Sequence, residues 1–559
     1  APGGGAVSNG AVSNGAASTG GAGQGLPPEN PDALIPARIR RLANAEYDQS
    51  ARSLLGSAVS PSIDYDFPPD ARQAGFTLND AQRVDPVVAR QYATAAETLA
   101  AAVKADVQKL APCSDPNSGE ACAKQFIERF GAKVYRRPLA AAEIDGPGEN
   151  DGLLDLYRVG AEGASYADGI EQVVRGMLSS AGFLYLTEIG EGTSSPGTKV
   201  QLTPYELASS LSYIATAGPP SEALVASALA GELDTPEGRR QAMNALIDGA
   251  ELPARVVRMI EEWLGIDRLG ATAKDSNIYP GFDAVKAPLT RETREFIAEV
   301  FGRSTGTVGE LLNADYTYSS GMLEAPLAEL YGVNAAQGRI SLERRRGILN
   351  QGAFLSVFAH AHESSPVLRG VTIGRRLACL PIQSPSELNI LVVPPLPDPS
   401  KSTRDRFAAH SQDAACAGCH RIIDPLGFVF ESYDGMGRYR EREVVLQGQT
   451  DGPVVDSHAV LGAGTWLDGD YADSDALVAR LSESPEVREC FARHVFRGSI
   501  GRSDAAVKDA ENEFVRYWKE LWEAEDASVK SNPLQQGNLK RVLLSLVQNP
   551  LFSQRIVLP

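Results

Sequence analysis

The string Cys416-Ala417-Gly418-Cys419-His420 places two thiols and an imidazole side by side, and no other stretch restricts the chemistry of the chain as strongly. On a helical turn the thiols can reach two vinyl groups of one porphyrin while the histidine meets the iron from below, so the string reads as attachment of one covalent haem c. Three rival readings compete with it. A thioredoxin-like dithiol would follow a strand in a βαβ unit, whereas Arg404 to Ala415 is polar and helix-like. A zinc site would need a second ligand pair, which none of the other cysteines supplies. Chance occurrence is the third. Downstream, Asp424-Pro425 gives the haem reading a context, because a proline there can aim a backbone carbonyl at the imidazole N–H and raise the ring's basicity. Cys416, Cys419, His420 and Pro425 are therefore the cofactor-binding candidates, with His420 as the metal ligand. Leu426, Phe428 and Phe430 would wall the haem edge, or simply pack in a core.

Four cysteines remain. Cys113 and Cys122 bracket a short polar loop that a disulfide closes easily, which leaves Cys379 to pair with Cys490 over a long separation, although four cysteines admit three connectivities. Haem c is attached outside the cytoplasm, and an even remainder of cysteines suits the same oxidising compartment. The expected location is the periplasm or the cell surface.

Length and charge bound the rest. At ~150 residues per domain, 559 residues predict roughly three to four domains. The chain is 43% hydrophobic and 22% charged, the composition of a globular protein, and lacks the run of ~18 uncharged apolar residues that a transmembrane helix needs. With 53 Lys and Arg against 71 Asp and Glu, the net charge is −18 and no basic block is present, so nucleic acid is not an expected partner. Residue 1 is Ala, which reads as an exported chain whose signal peptide is not in this sequence. Residues 1 to 28 carry no charge and include the tandem GAVSNGAVSNGAAS, too poor in apolar surface to fold, and so a possible tether to a membrane.

Helical periodicity runs from Ile35 to Leu55, about Val87 to Leu110 and about Cys122 to Tyr135, and again from Thr203-Pro204, where Thr caps and Pro occupies the first helical position. The fold class is mainly α: a multidomain helical protein with a C-terminal cytochrome-like haem domain. The expected divisions are a Gly/Ala/Ser-rich tether (1–33), N-terminal helical domains (34–145), a large helical domain (146–380), a Pro-rich linker (381–403), the haem c domain (404–475) and a C-terminal helical domain (476–559).

Several strings together resemble the planctomycete and myxobacterial cytochrome c domain proteins, a multidomain family of unknown function with one C-x-x-C-H motif. They include RRLANAEYDQSARSLLG (Arg40 to Gly56), FIERFGAKVYRRPL (Phe126 to Leu139), TPYELASSLSYI (Thr203 to Ile214), EEWLGIDRL (Glu261 to Leu269), SSPVLRG (Ser364 to Gly370), the motif region from His410 to Arg440, and SPEVRECFARHVFRGSIGR (Ser484 to Arg502). They cover nearly the whole folded chain in family order. The resemblance implies export, haem c and a helical multidomain fold, with no settled activity.

A sixth iron ligand would be His or Met in a simple electron carrier and absent or displaceable in an enzyme that activates oxygen or peroxide. His360, with His362 beside it, lies just before SSPVLRG and is the first choice for the distal side and for a second metal ligand. His410 matches a family position before the motif and reads as a cofactor contact near a propionate. His494 shares an apolar helix face with Cys490 and reads as a satisfied core histidine; His458 has no supporting context. Met436 reads as a core or loop residue first and an iron ligand second. The acidic loop from Asp468 to Asp475 lacks EF-hand spacing and reads as solvated. No hydrolase elbow, zinc-protease or dinucleotide motif occurs. Two function classes follow: electron transfer, with the large helical part docking a redox partner protein, or a haem oxidoreductase acting on a small-molecule substrate. A surface scaffold or polymer-binding protein with structural haem is a weaker third. Sequence alone leaves open whether the chain is an enzyme.

Overall fold

The structure, a computed structural model, describes residues 26–558 apart from 57–58, 115–117, 147–150, 193–194, 249–252, 385–386, 388–400, 413, 444–451 and 525–531. Residues 1–25 of the expected tether and most of the expected Pro-rich linker therefore lie outside the described residues. From Pro27 the chain is docked on the body: the backbone N–H groups of Glu29 and Asn30 donate to Glu513, at 3.3 and 3.4 Å.

Helix accounts for 58% of the chain, which is mainly α. Local signals explain many boundaries. The helix Asn44–Leu55 stops at Gly56, whose φ of 62° suits a residue without Cβ. The helix Pro204–Thr216 begins where the Thr203 side chain accepts from Glu206 N–H and Pro204 fills the first position. One expected helix start is corrected: Ile35 to Arg41 is extended, forming the strands Ile35–Pro36 and Arg38–Arg41. Its helical spacing is overridden by partners hundreds of residues away. Ile35–Pro36 pairs in parallel with Arg555 and Ile556, the strand Gln554–Ile556 also pairs antiparallel with Lys199–Gln201, and Arg38–Arg41 pairs antiparallel with Tyr185–Glu188.

An ion cluster seals this seam between chain start, middle and end. Glu188 accepts from Arg38 Nε at 3.0 Å and from Arg555 Nε at 2.8 Å. Burial pushes the Glu188 carboxyl upward, but the two guanidinium groups outweigh it and hold the group well below the usual carboxylate range. The carboxylate thus stays charged, and removing both arginines would strand a buried charge.

Two large apolar cores result. The N-terminal core gathers Tyr47, Phe67, Tyr92, Phe126 and Phe183, with the Tyr47 and Tyr92 rings stacked at 5.2 Å. The larger core holds Trp263, Phe296, Phe354 and Phe491 together with Leu426, Val429 and Phe430, so the segment that follows Cys416-Ala417-Gly418-Cys419-His420 is built into the body. Cys113 is joined to Cys122 and Cys379 to Cys490, with Cα separations of 5.7 and 5.6 Å. The second bond spans 111 residues and ties the segment just before the Pro-rich stretch to the helix Pro485–Ile500. A cross-link closing so long a loop removes ~4–5 kcal/mol of unfolded-state entropy in the chain-entropy model.

Glu292, fully enclosed in the helix Phe282–Ala298, accepts hydrogen bonds from Thr317 Oγ1 at 2.6 Å and Tyr331 OH at 2.7 Å. Burial raises its carboxyl to about 7 from an ordinary 4.5. The folded state then binds the proton more tightly than the unfolded one, so this group's contribution to stability is full below the ordinary value and lost as pH rises through 7. Urea-unfolding free energies of wild type should fall from pH 4.5 to 7.5 relative to those of Glu292→Gln, which cannot titrate. Parallel pH profiles for the two proteins would contradict this assignment.

Candidate functional site

The motif helix spans Ala414–Phe428. Cys416, Cys419, His420, Ile423 and Asp424 follow the i, i+3, i+4, i+7, i+8 pattern and share one face, while Leu426 and Val429 are fully buried in the main core. Along that face Cys416, Cys419 and His420 are half-buried and Ile423 and Asp424 are buried, whereas Gly418, on the opposite side of the helix, is exposed, and a Cβ added there would meet nothing within 4 Å.

Two neighbouring helices hold this helix in place. The helix Thr403–Gln412 starts with Thr403 donating its N–H and Oγ1 to Glu443, at 2.8 and 2.7 Å to Oε2, so that the segment closes on itself. Arg404 lies over the Phe428 ring at 4.5 Å, and Arg406 is paired with Glu363 at 2.7 Å. The second neighbour is the helix Pro366–Thr372, capped by Ser365. It runs antiparallel to the motif helix in near-backbone contact: a Cβ at Gly427 would lie 1.8 Å from the Pro366 carbonyl oxygen, and one at Gly370 would lie 2.0 Å from that of Ile423. Only glycine permits so close a crossing. Beside it Arg369, with no exposed surface, donates to the carbonyls of Phe430 (2.9 Å), Tyr433 (3.0 Å) and Asp434 (2.9 Å), just beyond the end of the motif helix. Glu431 balances this charge, 3.6 Å from Arg369 and 2.9 Å from Arg440.

His420 Nδ1 lies 2.8 Å from Asp424 Oδ1, one turn along. Both side chains are largely enclosed, 17% and 7% exposed. A carboxylate can only accept, so this contact selects the tautomer with the proton on Nδ1 and the lone pair on Nε2. The imidazole's acceptor is thus a side-chain carboxylate, where the sequence suggested a carbonyl aimed by Pro425. Pro425 instead sits inside the motif helix, where its ring withholds one N–H from the helical ladder. Cys416 and Cys419 are unpaired, in contrast to the other four cysteines. Two half-buried thiols three residues apart, followed by a histidine held at Nδ1, match the donor set of a covalently held haem.

The remaining candidates fall in different places. His410 is on the helix Thr403–Gln412, but its side chain lies outside the described residues. His360 occupies the turn between Ala359 and Ser364, which pair across a bridge, and Lys274 Nζ donates to the carbonyls of Ala359 and His360 at 3.0 and 2.8 Å. Burial lowers the pKa of the half-buried His360 ring and takes the Lys274 ammonium down to about 7. His362 is exposed. His458 is also exposed and pairs with Asp470 at 2.7 Å. Met436 packs with Leu269, Tyr279 and Phe282 in a separate small core. Asp468 accepts the N–H groups of Ala463, Gly464 and Thr465, which commits its carboxylate to a turn. His494 is buried as expected, but neither ring nitrogen has a hydrogen-bond partner among the described residues; burial, with Arg497 and Arg376 nearby, keeps the ring neutral. Sequence reasoning passed over Arg369 and the roles of Asp424, Gly370 and Gly427. The spacing of Asp424, four residues after a helical histidine, was the one available signal.

Four family models match the chain in succession. Residues 40–105 match PSD3, protein of unknown function (DUF1587), and residues 122–188 match PSD5, protein of unknown function (DUF1595). Residues 202–333 match PSD4, protein of unknown function (DUF1592), and residues 345–443 match PSCyt3, protein of unknown function (DUF1588). The chain carries planctomycete cytochrome-c-associated domains. The PSCyt3 match encloses the glycine crossing, Arg369, the motif helix and Glu443, which are the parts that pack together here. No curated protein and no solved structure matched the chain.

The crossing predicts opposite outcomes for two glycines on the same helix. Gly427→Ala should destabilise the protein by ~2–3 kcal/mol or more, since backbone atoms must separate. Gly418→Ala should be neutral or stabilising by up to ~1 kcal/mol, since it adds only helix propensity in open space. Urea denaturation of both variants checks this; equal effects would refute the crossing.

Proposed function

We propose that the chain is an exported c-type haem protein that transfers electrons in the cell envelope. Cys416 and Cys419 would carry the porphyrin and His420 Nε2 would ligate the iron. The observation that supports this reading most is the division of the cysteines: four are paired in disulfides, whereas the two in C-x-x-C-H are left as reachable thiols. In a compartment oxidising enough for the first four, two neighbouring thiols stay unpaired when another chemistry claims them. Bound haem c supplies a one-electron couple at the protein surface.

The chain's own residues would do the rest. Asp424 holds the His420 ring, Arg369 and the glycine crossing fix the motif helix, and His360, in the turn whose backbone Lys274 holds, would be the second iron ligand. His410 remains a proposed contact to the porphyrin's carboxylates. The domains before residue 345 would form the docking platform for a redox partner protein, and residues 1–25 a tether. No helix among the described residues is long and apolar enough to cross a membrane.

An optical spectrum of the reduced protein with and without carbon monoxide tests this reading. An electron carrier with both axial positions filled should give the same low-spin spectrum in each case, and His360→Ala should make it sensitive to the gas. Carbon monoxide binding by the wild type would replace electron transfer with an open-iron oxidoreductase. An unchanged spectrum in His360→Ala would remove His360 from the iron.

A further inference from the structure

We infer that Asp424 is a positioning residue that sets the reduction potential of the iron, holding it low by giving the His420 ligand anionic character. The inference rests on the haem c reading above and assigns a role to a residue that reading does not need for attachment.

His420 Nδ1 and Asp424 Oδ1 are in contact at 2.8 Å. A histidine ligand whose remaining N–H faces a backbone carbonyl or water donates to a neutral acceptor. Here the acceptor carries a charge, and a charge-assisted hydrogen bond is shorter and roughly twice as strong as a neutral one. A carboxylate pulls the Nδ1 proton toward itself and raises the electron density at Nε2, where the metal binds. Electron density at that nitrogen stabilises the ferric iron more than the ferrous, so reduction becomes harder.

Burial makes the effect large. The Asp424 side chain is 7% exposed, so water screens it poorly. The helix gives the pair a fixed geometry as well: His420 and Asp424 lie one turn apart on a helix that is locked at Ile423 and Gly427 by the backbone crossing. The backbone that carries both side chains is therefore held in place. Pro425 follows directly and restricts the backbone beside Asp424.

Asp424→Asn tests this, because it keeps the shape and an acceptor oxygen and removes only the charge. In holoprotein produced with a cytochrome c maturation system, the variant should keep its haem, as shown by intact mass, and its midpoint potential should rise by at least a tenfold change in the reduction equilibrium, ~59 mV for a one-electron couple. Asp424→Glu, which restores the charge, should return the potential toward wild type, an outcome that a merely structural role would not produce. Should Asp424→Asn not fold, the wild type alone answers: in the diamagnetic ferrous protein, ¹⁵N-edited NMR should show a strongly low-field, exchange-protected proton on His420 Nδ1. An attached haem with an unmoved potential, or an Nδ1 proton exchanging freely with solvent, would overturn the inference and leave the haem reading intact. A wild-type protein that takes up no haem would overturn both.

Discussion

Arg369 is the contact on which the site's geometry depends. Its guanidinium is wholly enclosed and donates through Nη1 and Nη2 to main-chain carbonyls of Phe430, Tyr433 and Asp434 from the segment that leaves the motif helix. Burial lowers its pKa to about 10, so the group is still charged at neutral pH, and Glu431 supplies the balancing charge. Leaving such a charge unpaired, or those carbonyls without donors, costs several kcal/mol. The arginine therefore fixes where the helix Pro366–Thr372 lies, and the glycine crossing can form only in that placement.

From this constraint the site follows step by step. The crossing fixes the motif helix against the body, the helical pitch puts Cys416, Cys419, His420 and Asp424 on one face, and the Asp424 carboxylate chooses the tautomer of His420. The disulfide from Cys379 to Cys490 closes the other side by tying the chain just after this unit's first helices to the C-terminal helix Pro485–Ile500. In the larger frame, Glu188 with Arg38 and Arg555 draws the strands Arg38–Arg41 and Gln554–Ile556 together.

Much of this was legible in the sequence because it is local. Helical periodicity, the Thr203-Pro204 start, the Gly56 stop and the mainly helical class all depend on residues within a turn or two of one another. What escaped is what distance hides. Ile35 to Arg41 has helical spacing but is extended, because its strand partners lie near residues 185 and 555. Arg369 looks like one more basic residue in SSPVLRG until the carbonyls it gathers, 61 to 65 residues later, are in view. Nothing local marks Gly427 and Gly370 until the opposing backbone is placed. The acceptor for His420 was misjudged for a smaller reason: Pro425 drew attention to the backbone, while the residue before it carried the carboxylate. For His360 and His410 the sequence argument stands as a proposal.

The central claim is that the helix carrying Cys416, Cys419 and His420 is built to hold one covalent haem. Intact mass of the purified protein, produced with a cytochrome c maturation system, measures it directly. The account predicts a single species heavier than the polypeptide by one haem, reduced to polypeptide mass in the double variant Cys416→Ser, Cys419→Ser, whose far-UV circular dichroism stays that of a folded protein. Wild-type protein at the bare polypeptide mass, with Cys416 bonded to Cys419, would contradict it.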